Sequence, residues 1–111
     1  MNNVHLVGRL TKDIELKEVS SDTIMTNFIL AVRRDYKNKD DQYETDFIPC
    51  VAWRNNADFL FNYTEKGALI GIDGSLVTGN YEVNNKRVYT MDVQVSRIHL
   101  LASNTKKDVD L

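Results

Sequence analysis

Residues 23–33, TIMTNFILAVR, leave the fewest choices for the fold of this chain. β-Branched and aromatic side chains favour extended backbone, and here apolar side chains stand at both odd and even positions. A strand that is apolar on both faces must be covered on both faces, as a strand of a closed barrel is. The segment therefore predicts an all-β protein with this strand near its centre.

Four more stretches have the character of strands. They are residues 3–10, 43–53, 68–81 and 87–101. Pro49 cannot donate a ladder hydrogen bond, so it indicates an edge position or a bulge. Gly71 and Gly74 indicate places where the sheet bends sharply or is closely approached.

A single short helix is predicted between the third and fourth strands. Asn55 or Asn56 can cap its start, and its apolar stripe contains Ala57, Leu60 and Phe61. Five strands with a lone helix in this place favour a five-stranded Greek-key barrel of the OB type, in which the helix covers one end.

The chain has the length of one compact domain, because its 111 residues match the common domain size of about 100 to 150. We assign residues 1–101 to the domain and residues 102–111 to a short flexible tail. No apolar run approaches the roughly 20 residues of a membrane span and no secretory leader is recognisable, so we expect a cytoplasmic protein. Cys50, the only cysteine, lies in an apolar run and is predicted to be buried.

Charge is unevenly distributed along the chain. Fourteen basic and sixteen acidic residues give a formal net charge of −2, which by itself argues against a polyanionic partner. Residues 33–39 nevertheless carry four basic side chains and one acidic, and residues 40–46 carry four acidic side chains and no basic one. A domain that is acidic overall can thus present a basic face to a ligand.

Signals for catalysis are weak. His5 and His99 lie in separate strands near opposite ends of the chain, and neither has a metal ligand at a typical spacing. The acidic run at residues 40–46 lacks the alternating ligands and the glycine of a calcium loop. We therefore predict no metal, no cofactor and no enzymatic activity.

The aromatic residues are more informative. Phe47 and Trp53 share one face of their predicted strand, whereas Ile48, Cys50 and Ala52 form the smaller apolar face that suits a core. Large rings on the outer face need a partner subunit or a ligand.

Two further rings stand beside basic residues. Tyr36 lies within the basic run at residues 33–39, and Tyr81 is followed closely by Lys86 and Arg87. Single-stranded nucleic acid needs this combination, because bases stack on rings while cations pair with phosphates. Packing of the rings in the core is the alternative. The predicted base-stacking residues are Tyr36, Phe47, Trp53 and Tyr81. The predicted phosphate contacts are Arg9, Lys12, Arg33, Arg34, Lys37, Arg54, Lys86 and Arg87.

Five motifs connect the chain to a known family. They are LVGRLTKD at 6–13, FILAVRR at 28–34, DFIPCVAWR at 46–54, KGALIGIDGSL at 66–76 and TGNYE at 78–82. With these motifs the chain resembles the bacterial single-stranded DNA-binding protein family over nearly its whole length. The resemblance implies an OB fold, a homotetramer of two-fold symmetry and single-stranded DNA wrapped around its outside. It also implies base stacking at the four rings named above.

The chain departs from the family pattern at two positions and at its end. Pro49 and Gly79 stand where the family often has Asn and Arg, and the second difference removes an expected phosphate contact. The sequence ends KKDVDL, without the long linker and the acidic Pro-Phe tip through which the family recruits partner enzymes. We therefore expect no partner recruitment through the tail, as in short accessory or mobile-element members of the family.

The predicted function is to bind and protect single-stranded DNA without marked sequence preference. Replication, recombination, repair and DNA uptake are the expected processes, and association with the nucleoid follows from them. An OB module for protein assembly with little nucleic-acid affinity is the alternative, which the net charge of −2 favours. An OB-type hydrolase is a weaker one, because the sequence shows no clustered acid, base or nucleophile.

Overall fold

A computed structural model describes residues 1–102 of the chain. The elements are β1 (Val4–Leu10), β2 (Lys17–Ser20), β3 (Thr23–Lys37), β4 (Tyr43–Trp53), α1 (Asn55–Tyr63), β5 (Leu69–Val83) and β6 (Lys86–Ala102). The strand β6 includes Ala102, the first residue of the expected tail, and the remaining tail residues 103–111 lie outside the described part. Within residues 1–102 no helix is long and apolar enough to cross a membrane.

Five of the strands close into a barrel through β1. On one side β1 pairs antiparallel with β5, from Val4 opposite Gly74 to Arg9 opposite Leu69. On its other side β1 pairs with β3, where Arg9 lies opposite Ala31. The ring continues from β3 to β4 and from β5 to β6, and a short parallel pairing between β4 and β6 completes it. The predicted five-stranded barrel of the OB type is confirmed.

The helix occupies the predicted place in the barrel order. Among the five barrel strands, α1 separates the third, β4, from the fourth, β5. The additional strand β2 pairs only with the start of β3. The prediction that Asn55 or Asn56 caps the helix is wrong, because both lie inside α1 and Arg54 holds the cap position without a side-chain cap hydrogen bond.

The core is one apolar cluster inside the barrel. Leu30, Leu60 and Ile70 are fully buried in it, and α1 contributes Ala57 as well as Leu60. Each fully buried side chain of the Leu or Ile type contributes roughly 1.5–3 kcal/mol. Cys50 is buried in the same cluster, as predicted. This burial, with a smaller effect of the Asp92 charge, raises the pKa of its thiol to about 12, so the thiol stays protonated at neutral pH.

Two of the three backbone residues singled out in the sequence behave as predicted. The parallel pairing of β4 with β6 covers only the two residues after Pro49, so Pro49 stands at an edge. A β-carbon at Gly74 would lie 2.3 Å from the carbonyl oxygen of Gln94, beside a register shift. Gly71 differs, because a β-carbon there would make only ordinary contacts at 3.6 Å or more. Of the two alternatives predicted for Gly71, a sharp bend or a close approach, the close approach is therefore wrong.

A close approach that the sequence did not reveal occurs at Gly8 in β1. A β-carbon at this position would lie 2.4 Å from the carbonyl oxygen of Ala31 in β3. Because β1 joins β3 to β5, this contact lies at the closure of the barrel. Only glycine lets the two backbones come this close without displacement.

We expect Gly8→Ala to lower the free energy of unfolding by about 1–3 kcal/mol, because the added methyl group must push β1 away from β3. Gly71→Ala is the matched control, and its effect should stay below about 1 kcal/mol because the methyl group has room. Urea unfolding of both variants measures the difference. Equal losses would contradict the role assigned to Gly8.

Candidate nucleic-acid interface

The strand β4 has an inner and an outer face. Cys50 and Ala52 are buried in the core cluster, and Ile48 packs against it. Phe47 and Trp53 belong to the alternate series and point outward, with 63 % and 39 % of their surfaces exposed. Alternate side chains of a strand take opposite faces, and the inner face of a closed barrel is already filled. The predicted assignment of the two faces is confirmed at these residues.

Tyr81 lies on the same outer face, although it belongs to the β5–β6 hairpin. Val51 of β4 pairs with Gln94 of β6, and Gln94 lies opposite Ser75 of β5. Directly opposite residues share a face of the sheet. The ladder is regular from Ser75 to Tyr81, and residues six apart on a strand point the same way. With 52 % of its surface exposed, the Tyr81 ring is open to a ligand.

Tyr36 lies near the tip of the β3–β4 hairpin. It falls in an irregular stretch between Arg33 and Lys37, where the register of β3 against β4 shifts. Its ring is 64 % exposed, which makes it the most exposed of the four predicted stacking residues. The register shift separates it from Ala31, which lies opposite Phe47, and Tyr36 instead lies near Arg34.

Three predicted phosphate contacts keep their charges unpaired. The side chains of Lys12, Arg54 and Lys86 have no hydrogen bond or ion pair within the part of the chain that the structure describes. Lys86 lies opposite Val83 and therefore on the same face of the hairpin as Tyr81. Unpaired cations beside an exposed ring form the arrangement that a single strand requires.

Three other cations have partners within the protein. Arg9 donates a hydrogen bond to the carbonyl oxygen of Gly67 at 2.8 Å, and Lys37 forms an ion pair with Asp41 at 3.4 Å. Arg87 donates to the Asn80 side chain, on the hairpin face opposite to Tyr81. These contacts are exposed, so an incoming phosphate can compete with them.

The guanidinium of Arg34 is bound more firmly than these. It donates two hydrogen bonds to the carboxylate of Asp46, at 2.9 and 3.0 Å, and it lies 3.7 Å from Glu44. The hydrogen bond from Arg34 holds the pKa of Asp46 below its usual range. The same bond, with the charges of Asp46 and Glu44, raises the pKa of Arg34. Its charge is therefore largely neutralised, and it is the poorest phosphate ligand of the predicted set.

Arg9 and Arg33 meet at one depression in the surface. Its volume is about 550 Å³, and its lining also includes Ala31, Thr45 and the acidic Asp35. Ala31 lies directly opposite Phe47, so the depression adjoins the aromatic surface. Two arginines that are far apart in the sequence are thus placed where they can hold phosphates near an exposed ring.

Arg54 has an unusual backbone conformation. Its φ is 52° and its ψ is −119°, a combination that favours glycine. Its N–H donates to Ile24 and its carbonyl accepts from Asp58, so the turn from β4 into α1 fixes the conformation. The side chain lines a depression of about 400 Å³ together with Trp53 and Gln94. Strained residues of this kind cluster at functional sites.

One exposed ring on this surface was not predicted. Tyr43 belongs to the same alternate series of β4 as Phe47 and Trp53, and 44 % of its surface is exposed. Arg33 lies over the Tyr43 ring, with its Cζ atom 4.5 Å from the ring centroid. The alternation of side chains that identified Phe47 as outward-facing also identifies Tyr43, because Tyr43 is four residues earlier in the same strand.

The two histidines have a partner that the sequence spacing did not reveal. His5 of β1 and His99 of β6 contact opposite oxygens of Asp73 in β5, at 2.7 and 3.0 Å. These hydrogen bonds hold the pKa of the Asp73 carboxyl below its usual range. Among residues 1–102, no group of three or more His, Cys, Asp or Glu side chains is arranged to hold a metal ion. The cluster therefore joins three neighbouring strands by hydrogen bonds.

Comparisons with known proteins identify a family and several similar proteins. The model of the single-strand binding protein family matches residues 1–101. Single-stranded DNA-binding protein 3 of Streptococcus agalactiae serotype V is 44 % identical over 96 % of this chain and 78 % of its own length. Single-stranded DNA-binding protein 1 of Streptococcus pyogenes serotype M18 is 47 % identical over 91 % of this chain and 78 % of its own length. Single-stranded DNA-binding protein 1 of S. agalactiae serotype III is 44 % identical, with coverages of 97 % and 67 %.

The backbone of Arg54 generates a prediction about stability. We expect Arg54→Gly to be more stable than Arg54→Ala by about 1 kcal/mol, because glycine adopts a positive φ without strain. Asp58, exposed in α1, supplies the control. At this helical position the order should reverse, so that Asp58→Ala is more stable than Asp58→Gly by about 1 kcal/mol. Melting temperatures of the four variants check both orders, and the same order at both positions would refute strain at Arg54.

Proposed function

Because the chain belongs to the single-strand binding protein family, we propose that it binds and protects single-stranded DNA without marked sequence preference. The observation that carries this proposal is the row of outward rings on β4 and on the β5–β6 hairpin, with unpaired cations beside them. Rings accept any base on their faces, which explains binding without sequence preference. Charges without an internal partner attract phosphates.

Stacking and phosphate contacts contribute separately to the affinity. Each base on an aromatic side chain contributes about 1–3 kcal/mol. Phe47 and Trp53 are six residues apart, which is about 20 Å along an extended strand, so they contact different nucleotides. Each neutralised phosphate adds a slope of about 0.7 to the logarithmic salt dependence for single strands.

The cations differ in the contribution that we assign to them. Lys12, Arg54 and Lys86 are the strongest candidates for phosphate contacts, because their charges are unpaired among the described residues. Arg33 is a further strong candidate. It lies two residues beyond Ala31, which is opposite Phe47, and it forms no ion pair within residues 1–102. Arg9, Lys37 and Arg87 must first give up an exposed contact, and Arg34 contributes least because Asp46 holds it.

These contacts support a protective role for the protein in the cell. A coat of this protein on exposed single strands would protect them in replication, recombination, repair or DNA uptake, in the cytoplasm and at the nucleoid. Binding alone performs this role, so neither a cofactor nor catalysis is part of the proposal. The net charge of −2 favours the assembly module as the second candidate, which would keep the fold without affinity for DNA.

A fluorescence titration with oligo-thymidine tests the function directly. Trp53 is the only tryptophan and lies beside Arg54, so a stacked base should quench its emission. The affinity should fall as salt rises. Unchanged fluorescence together with an unretarded oligonucleotide would favour the assembly module.

The same assay on variants separates stacking from packing. Phe47→Ala and Trp53→Ala should each weaken binding by about 1–3 kcal/mol and leave the melting temperature nearly unchanged. A core ring would instead cost about 3–5 kcal/mol of stability. For Trp53→Ala, the anisotropy of a labelled oligonucleotide replaces the lost fluorescence. The control is Tyr89→Ala, a 75 % exposed ring on the hairpin face opposite to Tyr81, which should bind as the unmodified protein does.

The proposed assembly is a homotetramer. Within residues 1–102, large apolar side chains remain exposed on the barrel strands, and association with other subunits would cover them. They include Val7, Leu76, Met91, Leu100 and Leu101. These residues and the family resemblance support the proposal.

Light scattering should give a mass near four times the 12.8 kDa of one chain. We expect this mass because association into a tetramer removes the exposed apolar side chains from water. The mass should hold across the micromolar range. A monomer at these concentrations would contradict the proposed assembly and leave the DNA-binding proposal standing.

A further inference from the structure

The ring of Tyr43 lies on the outer face of β4 but is partly covered. Arg33 contacts it at 4.5 Å, and the Nζ atom of Lys37 lies 5.7 Å from its centroid. Both cations come from β3, across the hairpin. A ring with two cations at its surface is a cation–π site in the free protein.

The register of the hairpin creates this arrangement. Arg33 lies opposite Thr45, so a regular ladder would place Asp35 opposite Tyr43. The register shift instead places Lys37 opposite Tyr43. The irregular stretch therefore replaces a carboxylate by an ammonium group at the Tyr43 ring. A cation suits the neighbourhood of a phosphate, whereas a carboxylate would repel it.

We infer that Tyr43 is a fifth base-stacking position, which Arg33 covers in the free protein and uncovers when single-stranded DNA binds. Within residues 1–102 no carboxylate forms an ion pair with Arg33, so the exposed ring is its main partner. A phosphate offers Arg33 a charge-assisted bidentate contact, which is stronger than a contact with an exposed ring. The guanidinium turns to the phosphate and a base takes its place on the ring. This inference rests on the proposed function.

The position of Tyr43 extends the aromatic row in one direction. Trp53, Phe47 and Tyr43 all belong to one alternate series of one strand. Tyr43 stands four residues from Phe47, which is about 13 Å along an extended strand. A single strand that follows β4 from Trp53 past Phe47 therefore reaches Tyr43 before it leaves the hairpin.

A relocated tryptophan reports on this position. In the double variant Trp53→Phe with Tyr43→Trp, the only indole stands at position 43, and Trp53→Phe keeps an aromatic ring at the original site. Oligo-thymidine should quench this indole if a base stacks there. The anisotropy of a labelled oligonucleotide shows independently that DNA is bound. The control carries Tyr89→Trp in the same background, and its indole should not be quenched.

Affinity measurements on the otherwise unmodified chain complete the test. Tyr43→Phe should bind within about twofold of the parent, because the π face remains. Tyr43→Ala and Tyr43→Leu should both bind about 5- to 150-fold more weakly, as expected for the loss of one stacked base. Leucine keeps apolar bulk without a π face, so it separates stacking from packing.

The outcomes are distinguishable. Quenching at position 43 with weak binding by Tyr43→Leu supports the inference. Bound oligonucleotide without quenching at position 43, or full affinity in Tyr43→Leu, overturns it and leaves the proposed function intact. If the unmodified protein fails to bind the oligonucleotide, both the proposed function and this inference fall.

Discussion

Closure of the barrel is the constraint on which the rest of the structure depends. The strand β1 has to pair with β3 and β5 at once, and Gly8 allows the approach on the β3 side. Closure fills the inside of the barrel with one alternate series of side chains from each strand. The other series must then face outward. On β4 that second series contains Tyr43, Phe47 and Trp53, so the aromatic surface is a consequence of how the core is filled.

The same alternation resolves the conflict between an acidic chain and an anionic ligand. Glu44 and Asp46 belong to the series of β4 that does not contain the rings, and both lie near Arg34. Carboxylates and rings of one strand are thus separated onto opposite faces. Arg33, Arg54 and Lys86, which have no ion pair within residues 1–102, lie on the side of the rings. Net charge describes the whole molecule, whereas a bound strand meets only one of its faces.

Two local features shape this surface, and the first of them costs backbone stability. Arg54 keeps a backbone conformation that suits glycine, at the point where β4 turns into α1 beside Trp53. Arg33 lies on a half-exposed ring and lacks a carboxylate partner among the described residues. Neither arrangement is needed to close the barrel. Both keep a cation next to a ring that a base can use, which is the combination that binding of a single strand requires.

The sequence by itself determined the properties that depend on neighbouring residues. Strand parity placed Phe47 and Trp53 outside and Cys50 inside, because alternate side chains of a strand must take opposite faces. The order of the strands and the position of the single helix were sufficient to predict the type of barrel. Contacts between distant residues were decided only by the tertiary structure. Asp73 contacts two histidines, Arg34 forms an ion pair with Asp46, and Lys37 replaces Asp35 opposite Tyr43. Each depends on the register between strands, which strand pairing and hairpin turns set and the pattern within a single strand does not encode.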